Sequence, residues 1–261
     1  KEIVIAVASA AVLTFAFTFN RWKSSQATPS TDSKNPSMQM GGSQNEPVDR
    51  VAFLNAVFNK TKPPTEISRI LLSPGGSMPV DSSKKALKWA EETQNHALVA
   101  VIKYDLFALF REGNETEIAR QLIFTAAEYS DNQKISGFLF QQGKILIDKG
   151  LAQNSKNMEL RNALIIYQSE YLNQPMQFLA TLKESLLIDS NNIELNFIHL
   201  NLLKKSQQWE KAIKKCEKLI SLQPQNPYWL FETSDIFGNL GDSTNAKIYL
   251  NLAVKSQKNQ K

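Results

Sequence analysis

From residue 81 onward, apolar residues return every three or four positions, in stretches separated by short clusters of Asn, Asp, Gln, Ser and Gly, and no stretch alternates with period two. The pattern predicts a body of helices joined by tight turns. Three stretches near the C-terminus, Glu159–Asn192, Ile193–Asn226 and Pro227 to the end, fall into register at a 34-residue period. In the middle one, Gln208-Trp209-Glu210-Lys211-Ala212 opens a second helix that runs through Cys216, Leu219, Ile220 and Leu222 to Pro224. One period on, Ala212 corresponds to Ala246, Cys216 to Leu250, Leu219 to Ala253 and Leu203 to Phe237, and Gly241-Asp242 supplies the turn. One period back, Leu219 corresponds to Ser185 and Leu222 to Ile188, but Ala212 corresponds to Phe178, so the first repeat is degenerate. A hairpin of this length cannot bury its apolar face alone; stacked neighbours supply the core.

Ala212, Pro224, Phe237, Gly241, Ala246 and Ala253, with Trp229 one position from the preferred aromatic, resemble the tetratricopeptide repeat family over residues 159–256. Asn173-Gln174-Pro175-Met176-Gln177 further resembles a turn of some membrane-anchored bacterial members. The resemblance implies an all-α, right-handed α-solenoid of helix-turn-helix repeats.

Before the repeats, Asp81 or Ser82 is expected to cap a helix running toward Asn95. A hairpin follows over 97–130, broken at Gly113-Asn114, with Ile118, Leu122, Ile123 and Ala126 on one face of its return helix. A helix over 133–151 leads into the repeats. The sequence thus divides into an anchor at 1–23, a tether at 24–47, short helices and loops at 48–80, degenerate helical hairpins at 81–157 and the clearer repeats at 158–261. In the third segment, Val48, Val51, Ala52, Val57 and Phe58 mark a short amphipathic helix before Lys62-Pro63-Pro64, and Thr65–Leu72 is expected to add another turn or two.

Ile3–Phe19 is uncharged and broken only by Ser9, Thr14 and Thr18, which reaches the short end of the membrane-spanning range. Asn20-Arg21-Trp22-Lys23 fits an interfacial collar, and the run is longer than a signal core usually is. A single N-terminal transmembrane helix is the expectation, with a cleaved export signal ending at Ser25-Gln26-Ala27 the alternative. Residues 24–47 are Ser, Thr, Gln, Asn, Pro and Gly with little apolar surface, a composition that cannot offset its ordering entropy. Coil scaling gives such a tether a mean reach of roughly 25–30 Å. Arg21 and Lys23, taken literally, would keep the body cytoplasmic. The arrangement of apolar start, tether and helical body nevertheless favours an inner-membrane protein whose body is periplasmic.

Composition narrows the chemistry. The chain has 261 residues, 42% of them apolar, a net charge of +5, one cysteine and two histidines. Neither His96 nor His199 has a cysteine or carboxylate at ligand spacing, and no Gly-rich phosphate or dinucleotide loop, nucleophile elbow or Cys/His pair is present. The sequence therefore predicts no catalytic residue, no cofactor, no metal and no small-molecule substrate. Cys216 falls where a small core residue belongs and is expected to be a buried thiol. Lys204, Lys205, Lys211, Lys214, Lys215 and Lys218 cluster in one repeat with Glu194, Glu210 and Glu217 nearby, which a solvated helix face explains. Nucleic acid would need a broader basic stripe with exposed aromatics; an acidic peptide or anionic headgroups suit the cluster better.

If the family's geometry transfers, the inner groove is lined by Tyr167, Tyr171, Phe197, Asn201, Lys204, Lys205, Tyr228, Phe231 and Asp235, a mixed aromatic and polar surface suited to a helix or extended peptide. The alternative is that Tyr167, Phe197 and Phe231 pack between repeats. The expected function is a membrane-tethered adaptor that binds a protein or peptide in this groove, or else a non-catalytic structural subunit of a larger membrane assembly.

Overall fold

The computed structural model describes residues 47–73, 79–172 and 174–258. Among them every regular element is helical: α1 (Arg50–Phe58), α2 (Thr65–Leu72), α3 (Val80–Glu92), α4 (His96–Phe110), α5 (Glu115–Glu128), α6 (Gln133–Gln153), α7 (Met158–Ile166), a π-helical turn (Tyr167–Tyr171), α8 (Pro175–Ile188), α9 (Ile193–Lys205), α10 (Trp209–Leu222), α11 (Tyr228–Asn239) and α12 (Ser243–Lys258). The apolar run Ile3–Phe19 and nearly all of the expected tether lie outside the described residues. Among those described, no helix is long and apolar enough to cross a membrane.

A short acidic or amide side chain starts most of these helices. Asp49, Asn95, Asn114, Asn132, Asn157 and Asn192 each accept the backbone N–H three residues on, satisfying a donor that the helix itself leaves unpaired. One of the exceptions corrects an expectation: α3 begins at Val80 behind Pro79 with no side-chain cap, and Asp81 sits inside its first turn, where its charge meets the positive end of the helix dipole. The hairpin expected to break at Gly113-Asn114 in fact stops at Phe110, because Arg111 takes a left-handed backbone (φ 59°) that closes α4, while Asn114 caps α5. In α1 the buried side is Phe53, Leu54 and Val57, and Val51, expected on that side, faces out.

The chain divides into two compact units, at Phe178/Leu179 within α8. In the first, α5 and α6 make the broadest contact, α7 packs on both, and α1 lies against α6 with Phe53 stacked on Phe138 at 4.7 Å. Close approach is possible because Gly143 on α6 leaves room for Ile123 and Gly150 leaves room for Leu160. Arg50 on α1 holds Asp105 on α4 through two bonds of 2.9 and 2.6 Å.

The second unit holds two hairpins, α9 with α10 and α11 with α12, and α11 also packs on α10. Its second helices start at Trp209 and Ser243, one 34-residue period apart, and Leu219 and Ala253, both fully buried, keep the same spacing. Trp229 is completely enclosed, tilted against Phe197 at 5.6 Å, and its indole N–H donates to Gln223 Oε1 at 2.9 Å. Ser234 on α11 donates to the carbonyl of Ala246 on α12 at 2.8 Å, and Phe237 stacks on Tyr249 at 5.4 Å. Gly241 takes the turn between them with φ 81°, a backbone that glycine adopts without strain.

Candidate protein-interaction face

The nine residues implied for a groove fall into two groups. Tyr167 and Tyr171 belong to the first unit, at the two ends of the π-helical turn, with rings 5.4 Å apart. Phe140 meets them at 6.0 and 5.1 Å, and the Lys144 ammonium lies over the Tyr167 ring at 5.6 Å. Gln141 Nε2 donates to the Tyr171 hydroxyl at 3.4 Å. Gln168, in the middle of the turn, keeps a buried Oε1 without a hydrogen-bond partner. The turn is a finding of the structure; at sequence level only the four-residue spacing of the two tyrosines marks the place.

The other seven lie in the second unit, on the facing sides of α9 and α11. Phe197 meets Tyr228 edge to face at 6.0 Å. Lys204 Nζ is 3.2 Å from Asp235 Oδ2 and 2.5 Å from Glu232 Oε2. Asn201 lies between Phe197 and Lys204 along α9; it is only 8% exposed, and its Nδ2 is buried with no hydrogen-bond partner. Phe231 is half-buried, while Lys205 and Asp235 are exposed. Phe197 itself is only 2% exposed, so it shapes the wall from behind rather than offering a contact surface. Glu232 falls outside the nine positions, yet it is the partner that orders Lys204. Opposite charges on consecutive first helices are the only mark of it in the sequence.

Electrostatics follow from that arrangement. Burial pushes the Lys204 ammonium down, but the Glu232 charge and hydrogen bond, with those of Asp235, outweigh it and leave its pKa raised. Burial, and then the Glu232 carboxylate that shares a hydrogen bond with it, push the Tyr228 phenol up. The expected buried thiol is there: Cys216 is fully enclosed, meets the Thr233 hydroxyl, and burial pushes its pKa up to about 12. A thiol held in that state is no nucleophile at neutral pH.

The lysine cluster changes meaning. Besides the Lys204 contacts, Lys215 Nζ donates to Asn196 Oδ1 at 2.9 Å and Lys211 Nζ to Gln208 Oε1 at 2.7 Å. Three of the six lysines are thus engaged inside the second unit, Lys211 and Lys215 within their own repeat and Lys204 across to the next, which weakens the case for an acidic ligand there. His199 lies behind them: burial, then Lys215, Lys183 and Lys211, push its imidazole down, and its Nδ1 is buried without a partner. Among the described residues no group of three or more His, Cys, Asp or Glu is placed to hold a metal ion. What the α9/α11 face presents to a second chain is a half-buried ring and charges of both signs, with the enclosed Asn201 amide just behind them.

No family model matches this chain, and no curated protein matches it. A solved structure described as "MamA MSR-1 C2" is similar to 69% of this chain over 97% of its own length, at 12% sequence identity and a TM-score of 0.45.

Proposed function

We propose that this chain is a non-catalytic adaptor of tetratricopeptide type, which binds a protein or peptide on the α9/α11 face of its second unit. Asn201 carries the reading. Its enclosed amide donor has no partner, which costs about 1–3 kcal/mol, and a side-chain shift on binding that brings it to the carbonyl of a bound chain would recover that cost. Phe231 supplies apolar contact beside it, and Lys205 and Asp235 set the direction of the ligand. In this reading Ile3–Phe19 anchors the protein in an inner membrane, residues 24–47 tether it, and the body works on the periplasmic side.

The geometry decides which substitutions are informative. Phe197 and Lys204 hold α9 to α11, so changing them tests folding. Asn201→Ala, Phe231→Ala and Lys205→Glu touch the face with less effect on the hairpin. The tagged 261-residue chain, cross-linked in native membranes and compared by mass spectrometry with this triple variant, should lose one partner. Retention of every partner by a folded triple variant would remove the face from the argument, and would favour a fixed subunit held by other surfaces. Protease added outside spheroplasts should cut the body; its protection there would place it in the cytoplasm.

A further inference from the structure

The second unit shows what its own repeats need on their outer side. On α10, Cys216 is completely enclosed because α11 lies over it, with the Thr233 hydroxyl against the sulfur. One period on, Leu250 occupies the same register position on α12, and it is 45% exposed. Among the described residues nothing lies over it. Lys247, Leu250, Val254 and Lys258 follow at spacings of three and four, which puts them in one row along the helix, all of them exposed. Beside it runs a second exposed row, Ile248, Leu252 and Lys255. A larger side chain has replaced Cys216 at the position where a helix would pack, so this face has not been made polar to suit water.

The charges state what kind of helix fits. α12 contains no Asp or Glu, and its open row is apolar in the middle with a lysine at each end. A second copy laid antiparallel on this row would bring Lys247 against Lys258, lysine facing lysine at both ends, which is repulsive. A helix with an apolar centre and carboxylates at its ends would complement both rows. We propose that the open face of α12 is a docking site for an amphipathic, acid-ended helix of another protein, which takes the place that α11 takes on α10. This surface is separate from the α9/α11 face and does not depend on it.

The test uses the 261-residue chain and a synthetic helix of leucine and alanine with two glutamates at each end, followed by fluorescence anisotropy at low salt. The same helix with lysines in place of the glutamates is the charge control. Binding should weaken at least about tenfold for Leu250→Asp with Val254→Asp, because each buried aliphatic side chain is lost from the contact. It should weaken comparably for the lysine-ended helix, and fall as salt rises. Both substituted residues are exposed, so circular dichroism should remain that of the parent; if it does not, Val254→Lys alone serves. No binding, binding indifferent to these substitutions, or equal binding of both helices overturns the proposal. So does a dimer in sedimentation that the same substitutions dissolve, since the occupant would then be a second copy.

Discussion

Lys204 on α9 and Glu232 on α11 meet at 2.5 Å with both side chains less than a fifth exposed, so the first helices of the two hairpins are joined by an ion pair largely withdrawn from water. Such a pair adds little over an apolar one of similar shape, but breaking it strands a charge. Lys204→Met is therefore expected to cost about 3 kcal/mol, and Lys204→Met with Glu232→Leu to recover most of that. Urea unfolding of the three proteins measures both. Equal losses in the single and double variants would show that lysine packing, not charge, matters here. The raised pKa of Lys204 adds a sign: its share of stability is present below the ordinary lysine value of 10.5 and is lost as pH climbs through the higher folded one.

The helix positions of the second unit were legible because Leu219/Ala253 and the Gly241 turn repeat a physical requirement, close packing and a left-handed turn. The Lys204–Glu232 contact was not, since it joins residues 28 apart in sequence and no period relates them. The π-helical turn was equally hidden: one extra residue in a helical turn leaves the apolar spacing nearly unchanged, and only the stacking of Tyr167, Tyr171 and Phe140 reveals it. The start of α3 shows the opposite error. Asp81 is a good cap by type, but Pro79, its φ fixed by the ring, takes the cap position and the helix starts two residues earlier, at Val80. Asn201 was found by position alone; its unpaired amide, the property that gives it a role, exists only once α9 is packed.

Two glycines on helices should respond to alanine with opposite signs. A methyl group at Gly143 would stand 2.7 Å from Ile123 Cδ1 and 3.3 Å from Leu122 Cβ. Alanine gains about 1 kcal/mol of helix propensity over glycine, but overpacking this contact costs about 1–3 kcal/mol, so Gly143→Ala should be destabilising on balance. At Gly238 nothing lies within 4 Å, and only the propensity gain remains, so Gly238→Ala should raise stability by up to about 1 kcal/mol. Thermal melts of the two variants decide the matter. A stabilised Gly143→Ala would mean that α5 and α6 separate easily.

Cys216 should be silent to thiol reagents while the second unit is folded. Its sulfur is enclosed beneath α11 and its pKa lies near 12, so neither access nor thiolate is available. Labelling with a disulfide reagent at neutral pH should follow unfolding, being slow in buffer and rapid in urea. Fast labelling of the native chain would show that α11 lifts from α10, and would make that contact a mobile one.

His199 gives the second unit a dependence on acid. Burial first, and then the charges of Lys215, Lys183 and Lys211, hold its folded pKa below the ordinary 6.5. The unfolded chain therefore takes up the proton first as pH falls, and stability that is complete above 6.5 is lost through that value and below it. Melting temperature should drop between about pH 7.5 and about pH 5.5. His199→Gln has no proton to gain in this range, so the slope should flatten while the neutral-pH melting temperature moves little. Parallel pH profiles for parent and variant would assign the acid sensitivity to other groups, and would mean that His199 is free to charge where it stands.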